Sequence, residues 1–490
     1  MQRSIPILED YAVSPQTGFL SSIPPLKRLP NSYYAPWERI VADLQGLILS
    51  KRLRGVVDDL PVLSTDRLTS EPEWRRAYSI LAFITHAYIW CGPKPASRVP
   101  PPVTIPFKQT CAHLELPTVA SYAAVVLWNW KPIFPAEESS TLANLDMLHT
   151  FTGSLDEKWF YLVSVAFEAR GAAAIPLMLD AISAARNNKI DTVTAALSSF
   201  AEILDDLGIL LSRMAENCDP YVFYNRIRPF LAGSKNMGDA GLPNGVIFDD
   251  GGPMYKQRFV QYAGGSNAQS SIFQFFDLVL GVEHRVTGTK PSSDSTDAPQ
   301  VKKPAPSSAN FIHDMRRYMP GPHARFLAHV AEISNLRSFV EDNAYNAELS
   351  VAFDACLAML SALRDQHIQI VSRYILIPSA AAKKSEAAAV AAAEKQKAKE
   401  QGVDLALRPA EKKTLRGTGG SALIPFLRQA RDETSEPAVQ GWVKRLLNKE
   451  KGDNGKVLDA AERMERKSGC PGLAGVWSAT EGEGGGLCYV

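Results

Sequence analysis

One long amphipathic segment constrains the fold of this chain more than any other. It runs from Asn346 to Pro378 with no glycine or proline between them, and apolar residues recur at every third or fourth position. This spacing predicts a helix that buries one face in the core and ends at Pro378. The predicted buried face consists of Leu349, Phe353, Cys356, Leu360, Leu363, His367, Ile370 and Tyr374.

His367 is the only histidine of that face. A neutral imidazole buried among apolar side chains needs a partner, either a hydrogen-bonding group or a metal ion. A core histidine bonded to a backbone carbonyl is far commoner in proteins than a metal ligand. The residues alone leave both interpretations open and favour the ordinary core histidine.

Other segments repeat the helical spacing, and no strand-like alternation of useful length occurs. The sequence therefore predicts an all-α fold. Two of the predicted helices, 118–130 and 157–174, are almost wholly apolar and are typical of the middle of a domain. The proline-dense stretch 92–106 is predicted to be extended. Further predicted helices cover 37–53, 73–90, 193–216 and 221–231.

Three segments contain little that a core could bury. Residues 286–310 are rich in Ser, Pro, Lys and Asp and predict a disordered loop. A low-complexity insertion, 380–415, begins as a run of Ala, Lys and Glu, and we expect it to act as an exposed spacer. The C-terminal extension, 436–490, ends in a glycine-rich string and is predicted to be partly disordered.

The charge balance directs attention to a pocket. Lys and Arg total 53 against 52 Asp and Glu, so the net charge of +1 gives no large field for attracting nucleic acid or an anionic membrane. No signal peptide and no uncharged apolar run of membrane-spanning length is evident. We expect a cytoplasmic protein without nucleic-acid or membrane partners.

Several common enzyme classes lack their motifs here. The six cysteines form no CxxC pair, which argues against a zinc site or a disulfide framework. The eight histidines form no HExxH, and neither a GxSxG elbow nor a P-loop occurs. A zinc hydrolase, a serine hydrolase and a nucleotide enzyme are therefore disfavoured.

Two kinds of string remain as candidates for a site. The glycine-rich strings YAGGSNAQSS, from Tyr262, and RGTGGS, from Arg416, permit close backbone approach to a ligand, although such strings are more often caps or loops. The string CDPYVFYNRIRPFLAG, from Cys218, places aromatic residues beside Arg226 and Arg228. Its ordinary interpretation is a core helix with solvated arginines; the alternative is an aromatic wall suited to a flat ring that carries a carboxylate.

Taken together, several strings in collinear order resemble the indoleamine 2,3-dioxygenase family in its longer, fungal-like form. They are WFYLVS, CDPYVFYNRIRPFLAG, YAGGSNAQSSIFQFFDLVLG, DMRRYMPGPHARFL, RDQHIQIVSRYILIP and RGTGG, and the resemblance covers roughly residues 30–435. It implies a cytosolic, all-α enzyme with haem b. Such an enzyme uses O2 to cleave the indole C2–C3 bond of L-tryptophan and gives N-formylkynurenine, the first step of the kynurenine route to NAD.

The resemblance also implies a domain organisation and a set of partners. A small N-terminal helical domain, 1–151, would cap a large helical haem-binding domain, 152–435, followed by the extension 436–490. O2 would be the co-substrate, an electron donor would keep the iron ferrous, and the protein would be a monomer. Other indoleamines stay open as further substrates.

Carried over residue by residue, the family's proximal iron ligand is His367, which reverses the preference for a core histidine. Arg364 and Asp277 would pair near the haem propionates, and Gly265 and Ser266 would also contribute to the cofactor site.

On the substrate side, Arg228 would bind the tryptophan carboxylate, while Phe223 and Tyr122 would enclose the indole. Ser164 stands where a related tryptophan dioxygenase family has a histidine, which implies that no strong base is needed there. Ser164, Phe223 and Arg228 are the expected catalytic residues. The full set of expected substrate-binding residues is Tyr122, Phe223, Tyr224, Arg228, Ser266 and Thr418.

Two positions depart from the family pattern. Tyr224 stands where phenylalanine is more usual, and Val125 stands where some relatives have a polar or thiol side chain. These departures keep an alternative open: a haem-binding paralogue that is non-catalytic or weakly active, such as a haem sensor. A helical scaffold without a cofactor is the third hypothesis.

Overall fold

The computed structural model describes residues 3–137, 141–286, 310–385, 418 and 423–439. Within these ranges the chain is mainly helical, which confirms the predicted all-α class. The segments 287–309, 386–417 and 440–490 lie outside the described residues, and so do almost all of the predicted loop, insertion and extension.

The first helices pack around α4, whose central residues are fully buried. These helices are α1 (Ala35–Ala42), α2 (Leu44–Leu49), α3 (Leu53–Asp58), α4 (Glu71–Trp90) and α5 (Pro101–His113). A π-turn, Ala123–Leu127, follows in the predicted apolar segment 118–130. Short 3-10 turns flank them at Leu8–Tyr11, Ser32–Tyr34, Thr65–Arg67 and Leu142–Asn144.

The prediction of an extended chain at 92–106 is wrong for its second half, because α5 begins at Pro101. Pro101 and Pro102 occupy the first helical positions, where a missing N–H costs nothing and the fixed φ suits the helix. Pro106 lies inside the helix, and the Thr110 side chain donates a hydrogen bond to its carbonyl at 2.8 Å. A high proline content alone therefore does not exclude a helix when the prolines occupy its first positions.

The second half of the chain is built on longer helices. They are α6 (Leu155–Gly171), α7 (Ala174–Arg186), α8 (Ile190–Ser212), α9 (Met214–Asn217), α10 (Pro220–Val222) and α11 (Arg228–Leu231), with a π-turn at Phe223–Ile227 between the last two. Then come α12 (Ser271–Val279), α13 (Phe311–Met315), α14 (Gly321–Ile333), α15 (Leu336–Asp342), α16 (Ala347–Val371) and α17 (Leu423–Thr434). Short 3-10 turns occur at Met254–Lys256, Asn267–Gln269 and Arg316–Tyr318.

Within the described ranges, five short strands form two small sheets. Strand β1 (Arg98–Val99) pairs parallel with β4 (Val246–Phe248), which pairs antiparallel with β5 (Phe259–Val260). Strands β2 (Trp130–Pro132) and β3 (Leu145–Met147) form an antiparallel pair. None of these strands exceeds three residues. They connect loops, and the helices form the core.

Helix α6 begins as its sequence prescribes. The Ser154 hydroxyl accepts a hydrogen bond from Glu157 N, and the Glu157 carboxylate accepts from the backbone of Phe151 and Thr152 at 2.7 and 2.6 Å. The arrangement differs from a capping box, because the buried Glu157 carboxylate binds the backbone before the N-cap, while Ser154 N donates to the Thr152 hydroxyl at 3.2 Å. The stretch Leu155–Arg186 is apolar enough to cross a membrane, but 72% of its most apolar window is buried inside the protein, as befits core helices.

Helix α16 is the predicted long helix, and the Asn346 side chain caps its first turn at Leu349 N. Leu349, Phe353 and Cys356 are fully buried, and the helix packs along α8. Its predicted end at Pro378 is wrong, because the helix continues through a π-turn, Ser372–Leu376, into residues 377–385. The wide turn just before Pro378 changes the hydrogen-bond spacing there and lets the ring follow without breaking the helix.

Two apolar cores meet near this helix. One is built mainly from α1 to α6 and the other from α7, α8, α12, α14 and α16, while Leu210 and Ile370 contact both. The proposed domain division at residues 151 and 152 stays a prediction. The junction of the two cores is where the main cavity lies.

The N-terminal helices are held together by a buried ion pair. Arg76 on α4 donates to both oxygens of Glu38 on α1, at 3.1 and 2.7 Å, and Glu38 also accepts from Leu29 N at 2.8 Å. We predict that Glu38→Ala lowers the free energy of unfolding of the apoprotein by about 3–5 kcal/mol, because it leaves the Arg76 charge buried and unpaired. Urea unfolding measures this.

The matched control is the exposed pair Arg337–Glu341 on α15, with an N–O distance of 3.0 Å. There Glu341→Ala should cost only about 0.3–0.5 kcal/mol. Equal losses in the two variants would contradict the structural role given to the Glu38–Arg76 pair.

Candidate active site

A large cavity opens between α6, α12, α16, α17 and the α10–α11 region. The space between these elements amounts to about 1890 Å³, a figure that includes solvent at its open mouth. Most lining side chains are aliphatic or aromatic, with a few polar groups at separate places. Such a lining suits a mostly apolar ligand that carries a few polar groups.

Helix α16 supplies one wall. Leu363, Arg364, His367, Ile370 and Val371 follow each other at helical spacing and all line the cavity. The predicted buried face therefore has two parts. Its first half packs against other helices, and its second half, from Leu363 onward, lines the cavity.

His367 is half-buried because its ring faces the cavity. Within the described part of the chain, neither ring nitrogen has a hydrogen-bonding partner. Burial among apolar groups, with a smaller contribution from the positive charge of Arg364, lowers the pKa of His367 to about 4. The ring is therefore neutral at physiological pH and keeps a lone pair that can bind a metal ion.

Haem fits these residues. The described residues contain no group of three or more His, Cys, Asp or Glu side chains that could hold a metal ion by themselves. One neutral imidazole in a wide apolar cavity can hold iron only if a prosthetic group brings the other ligands, and a porphyrin does so. His367 would bind the iron, and Leu363 and Ile370 would lie against the ring.

Arg364 and Asp277 meet at one edge of the cavity, as expected. Arg364 Nη2 donates to Asp277 Oδ1 at 2.5 Å, and the guanidinium also bonds to the Ala430 carbonyl and the Thr434 hydroxyl of α17. Burial alone would raise the pKa of Asp277, but the positive charges of Arg364 and His284 outweigh it and hold that pKa below its usual value. The pair is therefore ionised.

The predicted substrate residues form other walls of the cavity. Tyr122, Ser164, Phe223 and Arg228 all line it. The Phe223 ring packs 4.8 Å from Phe160 and edge-on to Tyr374. Burial lowers the pKa of Arg228, as expected for a guanidinium that sits in an apolar wall.

A π-turn explains how Phe223 and Arg228 reach the same wall. They are five positions apart, which in an α-helix would turn their side chains to different faces. The π-turn Phe223–Ile227 widens the helix by one residue and brings both to the cavity side. Tyr224 does not line the cavity. Its ring lies under the Arg228 guanidinium, 5.4 Å from centroid to Cζ, so its position suits orienting Arg228 rather than touching a ligand.

The glycine-rich loop and Thr418 form a further wall. Gly264 N donates to the Thr418 carbonyl at 3.1 Å, and Thr418 Oγ1 donates to the Gly265 carbonyl at 2.8 Å. Gly265, Ser266 and Thr418 line the cavity. A Cβ at Gly264 would lie 2.1 Å from the Leu231 carbonyl oxygen, so only glycine permits this close approach.

Sequence reasoning missed Glu168, a fully buried carboxyl group just behind the wall. Its Oε1 accepts a hydrogen bond from Ser270 Oγ at 2.6 Å, and it faces Tyr122. Burial raises its pKa to about 7, partly offset by the hydrogen bond from Ser270 and by the nearby Tyr122 hydroxyl. One signal was visible: Glu168 follows Ser164 by four positions within an otherwise apolar helix.

His284 and Glu433 were also missed. They join Asp277 to α17 at the edge of the cavity, although 149 positions separate them in sequence. No local pattern connects residues so far apart.

Comparison with known proteins agrees with this geometry. The family model described as "Indoleamine 2,3-dioxygenase" matches residues 7–437. The chain is 40% identical over 442 residues to the indoleamine 2,3-dioxygenase of Saccharomyces cerevisiae, covering 88% of this chain and 94% of that protein. It is 35% identical over 431 residues to the 6-hydroxytryptophan 2,3-dioxygenase of Fusarium equiseti, covering 88% and 97%. With indoleamine 2,3-dioxygenase 1 of Mus musculus it shares 32% over 439 residues, covering 89% and 96%. The chain therefore belongs to the indoleamine 2,3-dioxygenase family.

Proposed function

We propose that this protein cleaves the indole C2–C3 bond of L-tryptophan with O2 and gives N-formylkynurenine, using haem b held by His367. The observation that carries the proposal is the neutral, unbonded imidazole of His367 on the wall of a large apolar cavity in a chain of this family. The reaction would be the first step of the kynurenine route towards NAD, in the cytoplasm of the cell.

When bound, haem supplies an iron centre that activates O2. The chain's own residues hold and orient the substrate. Arg228 would bind the tryptophan carboxylate through two parallel hydrogen bonds, and its position above Tyr224 fixes the plane of the guanidinium. Phe223 and Tyr122 would enclose the indole, because both present rings to the same cavity.

Among the described residues that line the cavity, the side chains beside Phe223 and Arg228 include the Ser164 hydroxyl but no carboxylate or imidazole. Ser164 Oγ donates to the Phe160 carbonyl within its own helix, at 3.4 Å, and a serine hydroxyl is a poor proton acceptor. The apolar lining would exclude water from the reacting atoms. This arrangement suits a reaction in which the protein contributes binding and orientation rather than proton abstraction.

Glu168, just behind the Tyr122 wall, is a carboxyl group that titrates around neutral pH. With a pKa raised to about 7, it is protonated in acid and ionised in base. Its neutral form places no charge behind Tyr122, which suits an apolar indole pocket. We expect ionisation of Glu168 to disturb the Tyr122 side of the pocket.

The proposed function also requires a reductant and leaves room for further substrates. An electron donor would keep the iron ferrous, other indoleamines with a carboxylate could occupy the same wall, and the protein would act as a monomer. A relative named for 6-hydroxytryptophan suggests that ring-substituted tryptophans are worth assaying.

The first prediction about the site concerns the iron ligand. His367→Ala should abolish the Soret band of the protein reconstituted with haemin, because no other imidazole is expected to reach the iron. The control is His313→Ala, which removes an exposed histidine on α13 that does not line the cavity and should leave the spectrum unchanged. A His367→Ala protein that keeps both its Soret band and its turnover would overturn the assignment.

The second prediction concerns the carboxylate. Arg228→Ala should raise KM for L-tryptophan roughly tenfold to hundredfold, the equivalent of a lost charged hydrogen bond of about 1.5–3 kcal/mol, with haem content unchanged. Arg226→Ala is the matched control, because Arg226 lies in the π-turn just before Arg228 but is exposed. Equal KM values for Arg228→Ala and the control would place the carboxylate elsewhere.

The third prediction concerns Glu168. Its raised pKa in the folded protein means that stability is lost as pH rises above the unfolded value of 4.5 towards about 7. Relative to Glu168→Gln, the wild-type apoprotein should therefore lose about 2 kcal/mol of unfolding free energy between about pH 5 and about pH 8. Chemical denaturation at the two pH values measures the difference. A pH-independent difference would show that Glu168 titrates normally.

A further inference from the structure

Four buried ionisable side chains form a continuous chain at one edge of the cavity. Arg364 on α16 bonds to Asp277 on α12 at 2.5 Å, and Asp277 Oδ2 lies 2.9 Å from His284 Nε2. His284 Nδ1 lies 2.7 Å from Glu433 Oε2 on α17. We call Asp277, His284 and Glu433 the clasp.

Both hydrogen bonds between His284 and the two carboxylates can form only if His284 is protonated. Each ring nitrogen faces a carboxylate oxygen, so both must donate, and only the imidazolium has two N–H groups. The side chains of His284, Asp277 and Glu433 are 5%, 7% and 2% exposed, so water cannot replace these bonds. A neutral ring would leave one buried carboxylate without its hydrogen bond.

The clasp fastens α17 to the segment that precedes residue 287. Glu433 also accepts hydrogen bonds from Arg285 N at 3.0 Å and from Gln429 Nε2 at 2.8 Å. On its other face α17 contributes Leu423, Phe426, Leu427 and Ala430 to the cavity wall. Holding Glu433 in place therefore holds one wall of the cavity in place.

Building on the haem-dependent function above, we propose that His284 and Glu433 are positioning residues: together they hold α17 closed over the Arg364 edge of the cavity and thereby slow the release of haem. Neither lines the cavity, so both act through Asp277, Arg364 and α17.

Charges from every neighbouring element bear on the imidazole. Asp277 on α12 and Glu433 on α17 favour its protonated form, while Arg364 on α16 opposes it. Arg285, next in the chain, lies 3.6 Å from Glu433. His313 on α13 is coupled to His284, and Arg316 interacts with Asp277. Glu283 and Glu436 act on Arg285 rather than on the ring.

These charges fix the pH range of the clasp. Burial alone would lower the pKa of His284, but the charge of Asp277 and the hydrogen bonds of both carboxylates outweigh it, so the pKa is raised. Burial opposes ionisation of both carboxylates, but the charges of Arg364 and His284 lower the pKa of Asp277. Hydrogen bonds from His284, Gln429 and Arg285 N, with the charge of His284, lower the pKa of Glu433. The clasp is therefore complete at neutral pH, weakens as pH rises through the raised pKa of His284, and weakens again as pH falls through those of the carboxylates.

The test measures haem transfer from the loaded full-length protein to excess apomyoglobin, followed by the change in the Soret band. His284→Gln and Glu433→Gln should each release haem roughly tenfold to hundredfold faster at neutral pH, as expected for a lost charged hydrogen bond. In wild type the rate should rise on the alkaline side, and in His284→Gln this rise should be absent. A purely structural defect would not remove the alkaline dependence.

Glu436→Gln is the matched control. It removes the carboxylate that pairs with Arg285 at an exposed position three residues beyond Glu433, and it should leave the transfer rate unchanged. If His284→Gln does not fold, Glu433→Gln carries the same test. Hydrogen exchange of residues 423–434 in the apoprotein gives a second readout, and exchange should be faster in both clasp variants than in Glu436→Gln.

The outcomes separate the two proposals. Clasp variants that bind haem and release it at the wild-type rate, with unchanged hydrogen exchange, would overturn the clasp and leave the function intact. A wild-type protein that takes up no haem would overturn the proposed function, whereas the hydrogen-exchange result would still judge the clasp.

Discussion

The site depends on one imidazole, that of His367, which has no hydrogen bond to any residue that the structure describes. His367 is kept neutral by its apolar surroundings and is fixed by a helix whose first half is fully buried against α8. A buried polar group without a partner is costly unless a ligand supplies one. The apolar lining, and the fact that His367 is the one imidazole among the described lining residues, favour a planar group that brings its own metal and four of its ligands. The other walls then only need to position the substrate.

Irregular helix turns shape those walls. Each of the three π-turns among the described residues contributes to the cavity: Val125 and Val126 from the first, Phe223 from the second, and Tyr374 and Ile375 from the third. A π-turn shifts the facing of every residue that follows it by about one position. It can therefore aim side chains at a ligand without interrupting the helix. The last turn also brings the Tyr374 hydroxyl to the Cys218 carbonyl, at 2.7 Å, which joins α16 to the substrate wall.

The sequence predicted what depends on periodicity and motifs. The long helix with His367, the apolar helix predicted at 157–174 and the Arg364–Asp277 contact are all present. The helix predicted at 118–130 is wrong over most of its length, because only a π-turn, Ala123–Leu127, forms there and a strand begins at Trp130. The patterns could not predict the π-turns, because their signature is a hydrogen-bond spacing rather than a residue type. For the same reason the sequence did not predict that the helix continues past Pro378. His284 and Glu433 were invisible because long-range packing brings them together, and Glu168 because one acid in an apolar helix is usually discounted.

The measurement that tests the central claim most directly is a turnover assay on the ferrous, haem-loaded protein with L-tryptophan under O2. The account predicts stoichiometric loss of O2 and tryptophan with formation of N-formylkynurenine, seen by its ultraviolet absorbance. A protein that binds haem through His367 yet forms no N-formylkynurenine would contradict the account and would identify the chain as a non-catalytic haem-binding member of its family.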